Sequence, residues 1–472
     1  MKRSTGTHVY SFAKCQRLAA LDLTLSRRER RDPTPWEAFA AKRGRDFEDE
    51  YVADLAGVVA PEYPERDFEA GAAATLKLLR AGAPLVHQAV LMTEDRLGLP
   101  DLLRKVDGPS ELGDYHYEVM DVKTSGQPRS DQILQVLFYS RLLAAVQGRT
   151  PEHTGLILKD RREERFVVAD FAAVCSEVER DLRRLHDDPD LARPFLQSGC
   201  ESCHWNHKCL PELEVAGDLS LVQGMTSGIR EILEGLGCRT VEDLATFQPE
   251  TARARGRLDA ALLRRLRRAA QATLLGKPVA DVRPNTKSLD PATILYLLTD
   301  PFADRVLLFA TLTPAAEGGE FEWRMPGSRE EEWPALKDLL AELPDDHHLL
   351  HFGGALPRWY EEQSFEREST AGWSIRFVDL QRRLRAALLF PGPVFTLADF
   401  ARLGLGVDPA RAGHAAAAAM WDEDREQKLV AKAMADLDDL AQLKTRFLDT
   451  PAARGAVGGT DTSTATASIP PA

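Results

Sequence analysis

The sequence predicts an α/β protein: a mixed sheet flanked by helices over residues 1–212, a small helical segment over 213–280 and a second α/β unit over 284–450. Three observations carry this. Apolar residues recur at helical spacing in the first 60 positions, then give way to short Val-, Leu- and Tyr-rich runs separated by turn residues. The same kind of pattern begins again at position 292. Between the two stretches lie glycine-punctuated helical sequence and a linker rich in Pro and Asn, KPVADVRPNTKS. At ~100–200 residues per domain, a chain of 472 residues has room for two to four.

The elements follow in order. SFAKCQRLAALDL reads as one amphipathic helix with Cys15 inside it, GRDFEDEYVADLAGVV as a second, and a third falls within 67–81. Residues 85–92, 99–107 and 115–123 read as strands. SDQILQVLFYSRLLAAVQG is a strongly apolar helix with Ser130 or Asp131 as its N-cap. Strands at 154–159 and 164–169 and a helix near 170–187 complete the first unit. Residues 217–277 are helical, with turns expected at Gly224, Gly228, Gly235 and Gly237. Strands at 292–298, 305–312 and 347–352, a helix near 332–342 and further helices to about 449 make the second α/β unit. The Gly-, Ser-, Thr-, Ala- and Pro-rich tail over 451–472 is expected to be disordered. No internal repeat is present.

Composition narrows the function. A hydrophobic share of 44% suffices for ordinary cores. No run reaches the ~20 apolar residues that span a bilayer, and no apolar run follows the basic N-terminus, so a cytoplasmic protein without membrane partners is expected. A net charge of −13 argues against a global electrostatic grip on nucleic acid, so binding must rest on local basic patches. In a reducing compartment the six cysteines, Cys15, Cys175, Cys200, Cys203, Cys209 and Cys238, are not expected to form disulfides. Cys175 and Cys238 sit in helical runs and read as buried thiols.

The informative strand is EVMDVKTS. Residues two apart on a strand share a face, so Asp121 and Lys123 project together while Glu118 points away. Upstream, GLPDLLRKV places Asp101 at the start of a neighbouring strand. Two carboxylates hold a hard divalent cation through oxygen, the cation polarises a phosphate and acidifies water, and a lysine steadies developing negative charge. On the next helix, Gln135 and Tyr139 share a face at i, i+4 spacing. Gly44 and Glu48 lie in a helix that can supply a third acid. A lone Asp-x-Lys is common on surface strands. The ordered set of Glu48, Gly98-x-x-Asp101, Asp121-x-Lys123 and Gln135-x-x-x-Tyr139 is far less so.

GCESCHWNHKC gives Cys200-x2-Cys203-x5-Cys209, three thiols in want of a fourth ligand. His204 or His207 completes a zinc site. Cys15 instead completes a four-thiolate set suited to an iron–sulfur cluster, stapling the N-terminal helix to the end of the unit.

The order of Cys15, the acidic motifs and the cysteine triplet resembles the RecB/AddB-type PD-(D/E)xK nucleases. Its nearest likeness is to RecB-like nucleases with an iron–sulfur staple, a helical linker and an RNase H-like C-terminal domain. The resemblance covers nearly the whole chain to about 449. It implies a restriction-endonuclease-like fold and hydrolysis of DNA phosphodiesters with Mg2+ or Mn2+. Glu48, Asp101 and Asp121 would be metal ligands, Lys123 catalytic, and Gln135 and Tyr139 would orient the site. Cys15, Cys200, Cys203 and Cys209 would hold a 4Fe-4S cluster. DNA is the implied partner, together with a helicase or another repair or defence protein. One departure stands out: the first-motif helix has Glu48 but lacks the histidine common in such enzymes; His87, on a strand, reads either as a core or surface histidine, the favoured reading, or as its substitute.

LVQGMTSGIREILEGLGCRTVEDLATF resembles a helix-hairpin-helix module, whose glycine-rich turns bring backbone N–H groups to phosphates. Arg253, Arg255, Arg257, Arg264, Arg265, Arg267 and Arg268 follow, either as a backbone grip or as a solvated helix face. In the C-terminal unit, ATILYLLTDP is hydrophobic where RNase H-like exonucleases carry a paired acid. Asp300, Asp379, Asp436, Asp438 and Asp439 remain and read as surface residues, so this unit is expected to have lost catalysis. Two competing readings stay open: a catalytically inactive nucleic-acid-binding adaptor built on nuclease folds, and a zinc-stabilised protein of another function.

Overall fold

The computed structural model describes residues 3–248, 258–281, 289–300, 305–315, 318–344, 346–366, 377–407 and 425–449. It is mixed α/β and divides into two compact units. One holds residues 1–195 and 199–212, the other 196–198 and the chain from 213 onward. Among the described residues, no helix is long and apolar enough to cross a membrane.

In the first unit β1 (Ser4–Thr5), α1 (Gly6–Lys14), α2 (Gln16–Thr24), α3 (Pro35–Ala53), β2 (Val58–Val59) and α4 (Phe68–Arg80) come first. They are followed by β3 (Leu85–His87), β4 (Leu91–Met92), β5 (Arg96–Gly98), β6 (Leu102–Ser110), β7 (Gly113–Val122) and α5 (Ser130–Gln147). Last come β8 (His153–Ile157), β9 (Glu163–Val167), α6 (Ala172–Asp187) and α7 (Asn206–Ala216), which runs past the unit's end. Six strands form a mixed sheet in the order β2-β3-β6-β7-β8-β9, with β7 parallel to β8 and antiparallel to β6. β1, β5 and β4 form a separate small sheet.

The two-residue period divides the buried stretch of β7 from His116 to Val122 between two packed faces. Tyr117 and Val119 pack with Leu103, Leu156 and the α5 residues Val136 and Leu142. Met120 and Val122 pack on the other side with Leu102, Ile157 and Tyr51 of α3. Helices therefore cover both faces.

Several sequence expectations shift. The expected helix through Cys15 breaks there: Cys15 is extended (φ −165°, ψ 122°) between α1 and α2. The expected strand 85–92 is two strands in different sheets, parted at Gln88, whose φ of 48° turns the chain. The N-cap position of α5 is Arg129, rather than the expected Ser130 or Asp131, which lie in the helix's first turn.

In the second unit α8 (Ser227–Gly235), α9 (Val241–Thr246) and α10 (Ala260–Leu275) precede β10 (Val279–Ala280), β11 (Ala292–Asp300), β12 (Arg305–Ala315) and β13 (Gly318–Arg324). Then come α11 (Arg329–Ala341), β14 (His348–His351), α12 (Ala355–Glu366), β15 (Phe377–Asp379), α13 (Leu380–Ala387), β16 (Leu388–Leu389), α14 (Leu397–Leu405) and α15 (Arg425–Lys444). Gly224 and Gly237 take positive φ at turns, but Gly228 and Gly235 lie inside α8 rather than in turns. The five-stranded sheet runs β13-β12-β11-β14-β15; β12 is antiparallel to both neighbours, and β14 is parallel to β11 and β15. Strand β13 was not expected from the sequence. The expected disordered tail over 451–472 lies outside the described residues.

Candidate active site

Register builds the site. β6 and β7 pair antiparallel with Leu102 opposite Met120, so one step further along places Asp101 opposite Asp121, on one face of the sheet. The two acids are cross-bonded through backbone: Asp101 N–H donates to Asp121 Oδ1 (3.0 Å), and Val122 N–H donates to Asp101 Oδ2 (2.8 Å). Lys123 follows the end of β7, and its Nζ donates to Asp121 Oδ2 at 2.9 Å and stands 3.7 Å from Asp101 Oδ2. Glu118, of opposite parity, faces elsewhere and pairs with Arg165 (2.7 Å).

The electrostatics follow from crowding of like charge in a dry place. Burial, then repulsion from Asp121 and Glu48, raises the Asp101 carboxyl well above the usual range. Burial opposes the charge of Lys123, but the charges of Asp121 and Asp101 outweigh it and hold the ammonium on. Tyr139 is likewise pushed up, by burial and then by the Asp121 charge, so its hydroxyl stays protonated.

α3 delivers Glu48. Thr34 caps this helix, with Pro35 in its first turn and Glu37 closing the box. Glu48 Oε1 accepts from His87 Nε2 (3.0 Å) and from Gln88 Nε2 (3.2 Å). Burial pushes the Glu48 carboxyl up, but the His87 and Gln88 hydrogen bonds and the nearby positive charges hold it below its ordinary value. His87 thus stands against the first acid. Gln88 was missed by sequence reasoning: its backbone N–H also donates to Asp101 O (2.9 Å), so its left-handed residue ties two acid-bearing segments together. Nothing in an apolar run such as LVHQAVLM signals that.

On α5, Gln135 Nε2 donates to the Tyr139 hydroxyl (3.1 Å). The Tyr139 ring fills space that two glycines leave open: a Cβ at Gly98 would come 2.8 Å from its Cδ1, and one at Gly6 2.4 Å from its Cε1. The glycine of Gly98-x-x-Asp101 therefore makes room for the tyrosine.

The cysteines converge on Cys203, whose thiol feels those of Cys15 and Cys200, and on Cys209, which feels Cys203 and Cys15. The break at Cys15 turns its residue out of the helix, and Trp205 N–H donates to Cys203 Sγ (3.5 Å). Burial pushes the Cys209 thiol up to about 11 and raises Cys203 as well, so these sulfurs surrender protons only to a strong Lewis acid. As they stand, no group of three or more His, Cys, Asp or Glu among the described residues is gathered tightly enough to hold a metal ion. At the acids the Lys123 ammonium sits against Asp121 and Asp101. The donor chemistry fits nonetheless: hard oxygens at Asp101, Asp121 and Glu48, soft sulfurs at the four cysteines.

His204 is held through Nε2 by a buried acid. Asp22, 2% exposed, accepts at Oδ1 from His204 Nε2 (2.8 Å), Trp205 Nε1 (2.9 Å) and Arg30 (2.5 Å), and at Oδ2 from Ser11 Oγ (2.9 Å). Sequence reasoning missed this pin, although a lone acid in the apolar run LAALDL signals a buried partner. His207 is exposed.

Of the basic run, Arg253, Arg255 and Arg257 lie outside the described residues. Arg265 and Arg268 are tied to Asp281 at 3.0 and 3.1 Å, the Arg267 Nε is buried, and Arg264 is exposed. Among the C-terminal acids, Asp438 is exposed, but Asp300, Asp436 and Asp439 are buried rather than superficial, and Asp436 accepts from the Tyr296 hydroxyl (2.6 Å). Asp379 is half-buried and caps α13.

No family model matches the chain, and no curated protein matches it either.

Proposed function

We propose that the first unit is a metal-dependent deoxyribonuclease. The observation that carries this is the cross-strand pairing of Asp101 with Asp121, with the Lys123 ammonium set against both carboxylates. A divalent cation held there by Asp101, Asp121 and Glu48 would polarise the scissile phosphate and acidify a bound water. The Lys123 ammonium, beside both acids, would then stand next to the substrate and stabilise negative charge on the phosphate. His87 and Gln88 orient Glu48, and Tyr139, whose hydroxyl accepts from Gln135, closes the site.

Cys15, Cys200, Cys203 and Cys209 would hold the 4Fe-4S cluster, which supplies a covalent staple between the N-terminal helices and the end of the unit. The nearness of Cys15 to Cys203 and Cys209 supports this set over zinc completed by a histidine. The sheet order β13-β12-β11-β14-β15, with β12 reversed, supports an RNase H-like C-terminal unit; the Tyr296–Asp436 bond where an acid pair would act supports loss of its catalysis.

The test is cleavage of mixed single- and double-stranded DNA with Mn2+. Asp121→Ala and Lys123→Ala should each lower cleavage by at least 100-fold, on the order of the 3 kcal/mol an electrostatic catalytic group contributes, while the fold and brown colour persist. Wild-type rates in both variants would end the proposal. Binding without cutting by the unaltered chain would favour the adaptor reading.

A further inference from the structure

We propose that the C-terminal unit carries a separate binding pocket for a phosphorylated sugar or nucleoside monophosphate, independent of metal. A cavity of about 650 Å3 opens where β14 and β15 end and α12 and α13 begin. The two strands are parallel, and the crevice beyond the carboxyl ends of parallel strands is the habitual ligand position of open α/β sheets.

Its lining divides into groups already engaged and groups that are not. Asp379 closes the frame: its Oδ1 accepts from Gly353 N–H (3.3 Å) and Arg382 N–H (3.2 Å), tying the end of β15 to the loop after β14 and to the first turn of α13. His351 is buried, and its Nδ1 bonds to Gly353 O (2.8 Å), so that nitrogen carries the proton and Nε2 is left as an acceptor. Burial holds this imidazole below its ordinary value despite the Asp379 charge, which keeps it neutral at pH 7.

Arg382 and Arg383 line the same cavity. Neither guanidinium has a hydrogen-bond or ion-pair partner among the described residues. Consecutive helical residues diverge by about 100°, so two forks reaching one cavity suit an anion with several oxygens at wide angles. A phosphate offers that; a planar carboxylate does not. The acceptors His351 Nε2 and Glu361, which also line the cavity, suit hydroxyl donors rather than a second anion. An anionic end and a hydroxyl-bearing body together describe a sugar phosphate.

The test is calorimetric titration of the full chain, without added metal, with ribose 5-phosphate, adenosine 5′-monophosphate and adenosine. Expected is saturable binding of both phosphates and none of adenosine, with Arg383→Ala weakening the phosphates at least tenfold and its melting temperature unchanged. Arg383 is partly exposed, so its loss should not unfold the unit. Lys123→Ala should bind both phosphates as wild type does, which separates this pocket from the nuclease site. Absence of phosphate binding up to millimolar concentration, or binding that survives Arg382→Ala/Arg383→Ala, overturns the proposal.

Discussion

A single buried carboxylate, Asp22, gathers donors from Ser11, Arg30, His204 and Trp205. Burial pushes its carboxyl up, but these donors outweigh that and hold it at about 2, against 3.8 when unfolded. A depressed folded value means stability that is present above the unfolded value and lost as pH falls through the folded one. About two units correspond to about 2 kcal/mol. Asp22→Asn should therefore lower the unfolding free energy by roughly 2–3 kcal/mol at pH 7. The gap from wild type should be complete above pH 5 and close as pH falls from about 4 to 2. Denaturant titrations across that range check it, and a gap that ignores pH would refute the pin. Asp101, Asp121 and Lys123 were legible in the sequence because strand parity and motif order bring them together. The Asp22 pin and Gln88 were not, because a hydrogen-bond partner far along the chain, or a residue in a left-handed turn, leaves no local pattern.

At the scale of elements, β5 and α5 meet through Gly98 and Tyr139. Gly98→Ala sets a methyl 2.8 Å from both Tyr139 Cδ1 and Leu142 Cδ1, so either α5 shifts or the ring leaves the acids. Overpacking of this kind costs about 1–3 kcal/mol, and it should slow cleavage more than its melting shift alone explains. Gly228→Ala is the control: no atom lies within 4 Å of its Cβ, and the change should be neutral or slightly stabilising. Paired melting curves and cleavage rates decide the matter; equal effects in the two variants would remove the packing argument. Periodicity located most helices and strands but not their interruptions. Cys15 breaks a helix and Gln88 splits a strand although the apolar pattern runs through both, because tertiary demands there override local preference.

At the scale of the molecule, sequence divided 213–280 from 284–450 at a linker, yet one core crosses that line. Leu389 of β16 packs with Leu219, Val241 and Leu266 of the helical segment. β10 pairs with β16, Arg265 donates to Arg385 O (2.7 Å), and Phe390 N–H donates to the Gln223 side chain (2.6 Å). A linker rich in Pro and polar residues marks a change in composition, but a boundary in packing depends on which apolar faces need each other, and that is settled by contacts over a hundred residues apart. A fragment of 284–450 should therefore expose the Leu389 face, bind hydrophobic dye and melt without cooperativity. A fragment of 213–450 should be monomeric and melt in one transition, because it keeps the helices that cover that face. Residues 1–212, with a core of their own, should retain whatever cleavage the whole chain shows. Calorimetry of the three fragments separates these outcomes: a cooperative transition in 284–450 would mean that the helical segment is an appendage to the C-terminal unit rather than part of its core.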